Sequence, residues 1–171
     1  IVGVGIKPND ELAKSSRLKC DNGILVDDHG QTSDPHIFAV GDCSNHPNNI
    51  FKQRLRLESV HNAVKQAKSI AASITGSHIP YQEVPWFWSD QYNIKLQIAG
   101  ISRDHDHLVV RGHPEEEKFA VFYQKEECLV AVDAINSPKE FMIGKQWIAQ
   151  QAKIPFELIK NMDVDLKKIG N

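Results

Sequence analysis

Cysteine is scarce in this chain and follows no pattern. Cys20, Cys43 and Cys128 are odd in number and widely separated. Without a C-x-x-C pair, neither a redox dithiol nor a zinc site is indicated. Three reduced thiols in a cytoplasmic setting is the expectation. A charge excess is missing too: 20 basic residues face 22 acidic ones, for a net charge of −2. With no block of like charge, a nucleic-acid surface is not expected. No apolar run is long enough to span a bilayer, so no membrane partner is expected. A basic start followed by a small-residue cleavage site is absent, so no signal peptide is read. No nucleophile arrangement of the Ser/His/Asp or Cys/His kind is discernible, and no catalytic residue is assigned. An initiating Met is also missing. The chain opens on Ile1-Val2-Gly3-Val4-Gly5, an apolar, strand-like run. First residues are usually loosely held, so this opening suggests a piece of a longer protein.

What is present is a composition ordinary for a globular protein, 41% hydrophobic and 25% charged. Residues 1–6 read as a strand. Gly3-x-Gly5 starts like a dinucleotide fingerprint, but Pro8 stands at the third glycine position and the fingerprint fails. Asn22-Gly23 and Asp28-His29-Gly30 are turn signals around a short strand, 24–26, and suggest a small hairpin. Residues 36–40 are four apolar residues after His36, running into Gly41-Asp42. That short unbroken run suits a strand buried on both faces of a parallel sheet. Residues 44–53 read as a polar loop. The clearest helix of the first half runs from about Leu57 to Thr75, with Val60, Val64, Ala67, Ala71 and Ile74 on one stripe and Gly76 to end it. Residues 77–85 read as a linker.

The second half alternates. Residues 94–98, 108–110, 119–123 and 129–132 are short strands joined by polar connections, the signature of an antiparallel meander. Ser137-Pro138-Lys139-Glu140 has the form of a capping box with Pro at the first helical position. It opens a helix to about Gln151 with Phe141, Gly144, Ile148 and Gln151 on one side. Pro155 opens a second, short helix.

Chemistry concentrates at Gly41-Asp42. Glycine lets a ligand approach the backbone at the strand's end. Asp42 puts a hydrogen-bond acceptor where open α/β sheets bind ligands. A buried strand ending in an Asx turn is the plainer alternative. The helix that follows offers unpaired N–H groups near Ser59 and Val60, which favour negative charge; an ordinary amphipathic helix is the alternative there. Trp86-Phe87-Trp88 is either core or a wall for an aromatic ligand. If extended, Trp86 and Trp88 point one way and Phe87 the other. The run Asp104-His105-Asp106-His107 invites a metal reading, but alternating side chains diverge in an extended connection, and no metal site is assigned. Glu115-Glu116-Glu117 reads as a solvated turn.

Several segments together resemble one family. They are 3–9 (GVGIKPN), Thr32 through Asp42, 55–63 (LRLESVHNA), Pro85 through Gln91 running into 96–100, Val109 with Arg111-Gly112, and 131–136. In this order they resemble the C-terminal part of oxygenase-coupled ferredoxin reductases, the family of putidaredoxin, rhodocoxin and rubredoxin reductases. Gly-Asp alone is shared by many flavoproteins; Pro-Trp-Phe-Trp-Ser-Asp-Gln is far more specific. The resemblance implies an α/β fragment, the second half of an FAD-binding Rossmann-like domain, followed by an α+β domain with an antiparallel sheet and C-terminal helices. It implies the last strand of an NAD-binding domain at 1–8, the FAD half at 9–78 and the reductase C-terminal domain at 82–171. It implies FAD and NAD(P)H as cofactors of the intact protein, and a ferredoxin or rubredoxin as electron acceptor. Asp42 would bind the ribityl chain, the backbone at Val60 would meet the flavin pyrimidine, and Trp88 would lie close to the flavin and the electron path, with Gly41 and Ser59 also among the cofactor-binding residues. An N-terminal fingerprint and most of an NAD domain are absent from these residues, so this chain alone is expected to be inactive. Unpaired strands would leave edges open to a second copy. The alternatives are a non-catalytic dimerisation or docking module, and a part of another flavoprotein such as an apoptosis-inducing-factor-like protein.

Overall fold

The computed structural model describes residues 3–77 and 79–169. The chain divides into two units, Ile1–Glu83 and Val84–Asn171. In the first, a one-turn helix α1 (Glu11–Ser15) is steadied by a 2.7 Å ion pair from Lys14 to Asp10. Strand β1 (Ile24–Leu25) lies parallel to β2 (Ser44–Asn48), which pairs antiparallel with β3 (Gln53–Leu55). So the expected hairpin at 24–26 is reduced to one antiparallel bridge across the Asn22-Gly23 turn, Cys20 to Ile24, with Leu25 N–H donating to Lys19 O, and 44–53 is not a loop. The polar sequence of β2 is buried because its side chains are paired inside. Asn45 Oδ1 accepts from Arg54 Nε at 3.2 Å, and Asn48 Oδ1 accepts from the N–H groups of Ile50 and Phe51. Apolar periodicity cannot detect a strand held this way.

Helix α2 (Val60–Ile74) begins and ends close to expectation. Its end is a Schellman turn: Gly76, at φ +92°, donates to Ser73 O, and Ser77 donates to Ala72 O. Its packing is reversed from the expected one. Asn62, Gln66 and Ile70 are buried, while Val60, Val64, Ala67, Ala71 and Ile74 are all exposed. Two expected strands are also missing. Gly3 to Pro8 form none, with Val4 88% exposed; Ile1 and Val2 lie outside the described residues. Residues 36–40 hold only a single bridge, Phe38 to Gln31, and of them only Ala39 is buried. A parallel strand needs neighbours on its flanks, and the described residues supply none there. The stretch expected to be a linker is partly anchored: Tyr81 and Val84 are buried.

The second unit is a five-stranded antiparallel sheet in the order β4-β5-β8-β7-β6. The strands are β4 (Trp86–Gln91), β5 (Ile94–Gly100), β6 (His107–His113), β7 (Lys118–Lys125) and β8 (Cys128–Ile135). Strands β6 to β8 do form a meander, but the β4–β5 hairpin joins at β8. Helix α3 (Pro138–Ala149) lies close against β8: a Cβ on Gly144 would stand 2.6 Å from Val132 Cγ1. Phe122, Leu129, Val132 and Ile148 fill the core, together with Ile159 of α4 (Phe156–Lys160) and Leu166. The capping box does not close: Ser137 makes no side-chain cap and its hydroxyl donates to Ile135 O instead. Gln151 lies past the helix end at φ +50° and is exposed, not on the packed side. Buried Arg111 ties down the C-terminal segment, donating to the carbonyls of Ile159, Asn161 and Val164. Among the described residues no helix is long and apolar enough to cross a membrane.

Candidate functional site

The site is built around a 3₁₀ turn, Gly41–Cys43. Gly41 has φ +78°, a conformation that disfavours any side chain. Space is not the constraint, since an added Cβ would meet Ala63 Cβ at an ordinary 3.5 Å. That proximity sets the turn beside the first turns of α2. Asp42 is exposed, and its carboxylate has no hydrogen-bond partner among the described residues. Its carbonyl accepts from Arg56 Nη1 at 3.2 Å, and Arg56 also pairs with Glu58 at 2.8 Å.

Ser59 caps α2. Its backbone is extended (φ −150°, ψ 147°) and its hydroxyl accepts the Asn62 N–H at 3.2 Å, the usual way to satisfy an early helical donor. Val60 is the first helical residue and is 65% exposed. The positive end of the helix therefore opens to solvent next to Asp42. Gly41 and Asp42 thus lie against α2 through Ala63 and Gln66, the helix that Ser59 caps and Val60 begins.

Trp88 belongs to the second unit, on edge strand β4, and is 46% exposed. Its ring contacts Trp86, with centroids 5.4 Å apart. Trp86 packs on Phe141 and lies under Lys145 Nζ, 5.1 Å from the ring centroid. Phe87, exposed, is of opposite parity on the strand. The histidines of 105–107 diverge. His105 Nδ1 meets Ser102 O, and the His107 ring stands edge-on to Phe156. The Asp106 carboxylate accepts the Glu126 N–H, which holds it below the usual carboxylate range. All three cysteines are free.

Sequence reasoning missed the buried polar group behind the turn. Gln66 Oε1 accepts from the Gly41 N–H at 2.7 Å and from Ser44 Oγ at 2.8 Å. Gln66 Nε2 stands 2.9 Å from His46 Nδ1. His46 is 1% exposed; burial, helped by Arg54, pushes it down to about 4. Asn62 Oδ1 accepts from the Tyr81 hydroxyl at 3.0 Å, and burial raises that phenol above its ordinary range. The available signal was the i, i+4 pair Asn62 and Gln66 inside α2, opposite the valines.

Comparison with known proteins agrees with this layout. Residues 1–67 match the pyridine nucleotide-disulphide oxidoreductase family model, and residues 86–170 match the reductase C-terminal model. Putidaredoxin reductase of Pseudomonas putida is 43% identical over 169 residues, 99% of this chain and 40% of that protein. Rubredoxin-NAD(+) reductase of Pseudomonas putida is 44% identical over 139 residues, 81% of this chain and 36% of that protein. The solved covalent complex of putidaredoxin reductase with putidaredoxin superposes with a TM-score of 0.92 at 43% identity, over 98% of this chain and 40% of that one. The fold is thus of the pyridine nucleotide-disulphide oxidoreductase class, carrying a reductase C-terminal domain. Within that class, the chain belongs to the family of putidaredoxin and rubredoxin reductases. It spans about two fifths of the length of the relatives it matches.

Proposed function

We propose that the chain is the part of an NAD(P)H-dependent flavoprotein reductase that closes the flavin site and carries the C-terminal domain. In this reading, residues 1–8 end the NAD domain, 9–78 are the second FAD half and 82–171 are the reductase C-terminal domain. The observation that supports it most is the Gly41–Asp42 turn fixed beside the open start of α2.

The residues fit FAD. Asp42 is an exposed acceptor with no competing partner, suited to the hydroxyls of a ribityl chain. Gly41 leaves the backbone accessible. The start of α2 at Ser59 and Val60 favours negative charge on a flavin pyrimidine. When bound, FAD would supply the chemistry of accepting hydride from a nicotinamide and passing electrons on singly. This chain's residues would bind, orient and electrostatically tune it. The acceptor is a ferredoxin or rubredoxin, and the setting is cytoplasmic. By itself the chain lacks the remaining three fifths of the family's length and is inactive.

The test joins this chain to the part of putidaredoxin reductase it does not match. The joined protein should retain a visible flavin band and reduce putidaredoxin or rubredoxin from NADH or NADPH. The unjoined chain should turn over neither. A joined, folded protein that never holds flavin would refute the reading.

A further inference from the structure

The buried group behind the turn has a directional logic. The backbone N–H of Gly41 can only donate to the Gln66 amide, so the amide oxygen must face the turn; the Ser44 hydroxyl lies 2.8 Å from that oxygen and 2.9 Å from Gly41 O and can serve either. The amide NH₂ then faces His46 Nδ1 at 2.9 Å. An NH₂ group only donates, so Nδ1 must be unprotonated and the ring proton sits on Nε2. That Nε2 is buried with no partner among the described residues. The ring borders a cavity of about 10 Å³ that Asp27 and Tyr81 also line, room for about one water.

We infer that Gln66 is a positioning residue for the Gly41–Asp42 turn, and that neutral His46 fixes the direction of its amide. A proton on Nδ1 would set two donors face to face. The amide would have to turn over, presenting NH₂ to the Gly41 N–H. The Ser44 hydroxyl can rotate and accept; the backbone N–H of Gly41 cannot, and it loses its acceptor. The turn that carries Asp42 is thereby coupled to the protonation of a histidine. The charged and titratable groups around that ring are Arg54 on β3, Asp27 at the cavity, and Tyr81 (edge-on at 5.1 Å) with Glu83 beyond it. Its consequence for the cofactor rests on the flavin reading above; the coupling itself does not.

The test is a pH titration of the isotopically labelled full chain by NMR, from pH 7.5 to 3. The Gly41 amide and the Gln66 side-chain NH₂ should move with the same midpoint as the His46 ring. The Ala39 amide, which donates to Gly30 O, should not. Exchange protection of Gly41 should fall at least about tenfold across that step. In Gln66→Glu, a carboxylate accepts from both neighbours, so the His46 midpoint should rise by at least about one unit and Gly41 should stay protected. Should Gln66→Glu not fold, His46→Phe should leave the Gly41 amide independent of pH. A Gly41 amide unmoved while His46 titrates, or one that still titrates in His46→Phe, overturns the inference. Co-titration that persists in a chain joined to its complement but never binding FAD would retain the coupling and reject the flavin reading.

Discussion

Two glycines with nearly the same φ should answer differently to one added methyl group. Gly41 (φ +78°) has room for a Cβ, whereas at Gly100 (φ +82°) it would stand 2.0 Å from Val130 O. Gly41→Ala should cost about 1–2 kcal/mol from the backbone alone. Gly100→Ala should cost more than about 3 kcal/mol, because a strand must move as well. Urea denaturation of the two variants checks the order. His46 gives a pH dependence of known sign. Its ordinary value is 6.5 and its folded value about 4, so between those pH values the unfolded chain binds a proton that the folded unit refuses. The first unit should have its full stability above pH 6.5 and lose it progressively toward pH 4, by about 3 kcal/mol at most. Denaturation midpoints at pH 7.5 and 4.5 should differ less in His46→Gln; an unchanged slope would exclude His46 as the cause.

Elements were legible where their stability is local and obscure where it comes from neighbours. The end of α2 could be read because Gly76 acts within the chain segment itself, whereas its start lies at Val60 behind the Ser59 cap, three residues after the expected Leu57. The polar strand β2 could not, because it is held by Arg54 and by its own asparagine amides. The run Ile37–Val40 carries the pattern of a buried strand, yet Val40 is 36% exposed because the described residues supply no flanking strands. The candidate site divides in the same way: Gly41, Asp42, Ser59 and Val60 were legible as a motif, while Gln66 and His46 were hidden by being polar and buried. Caps separate cleanly too. Ser59→Ala should cost about 1 kcal/mol and fray the start of α2, because its hydroxyl holds the Asn62 N–H. Ser137→Ala should have no capping penalty, since that hydroxyl is turned to Ile135 O. Thermal melts of the two variants test this.

At the scale of the whole chain, the two units differ in completeness. The second has five paired strands and a core of its own. The first leaves the stripe Val60, Val64, Ala67, Ala71, Ile74 exposed, with the 4-3-4-3 spacing of a helix-packing seam. The relatives it matches are about two and a half times as long, and an exposed apolar stripe of this kind favours association. Purified alone, the chain should self-associate with rising concentration in light scattering, and Val64→Lys should reduce this; a strict monomer at every concentration would contradict the expectation. The central claim concerns Asp42. Flavin affinity should be measured by fluorescence in the chain joined to the unmatched part of putidaredoxin reductase, with Asp42 intact and as Asp42→Ala. Loss of a charge-assisted hydrogen bond, about 1.5–3 kcal/mol, predicts binding weakened about ten- to a hundredfold. Equal affinity in the two proteins would contradict the assignment of this turn to the flavin.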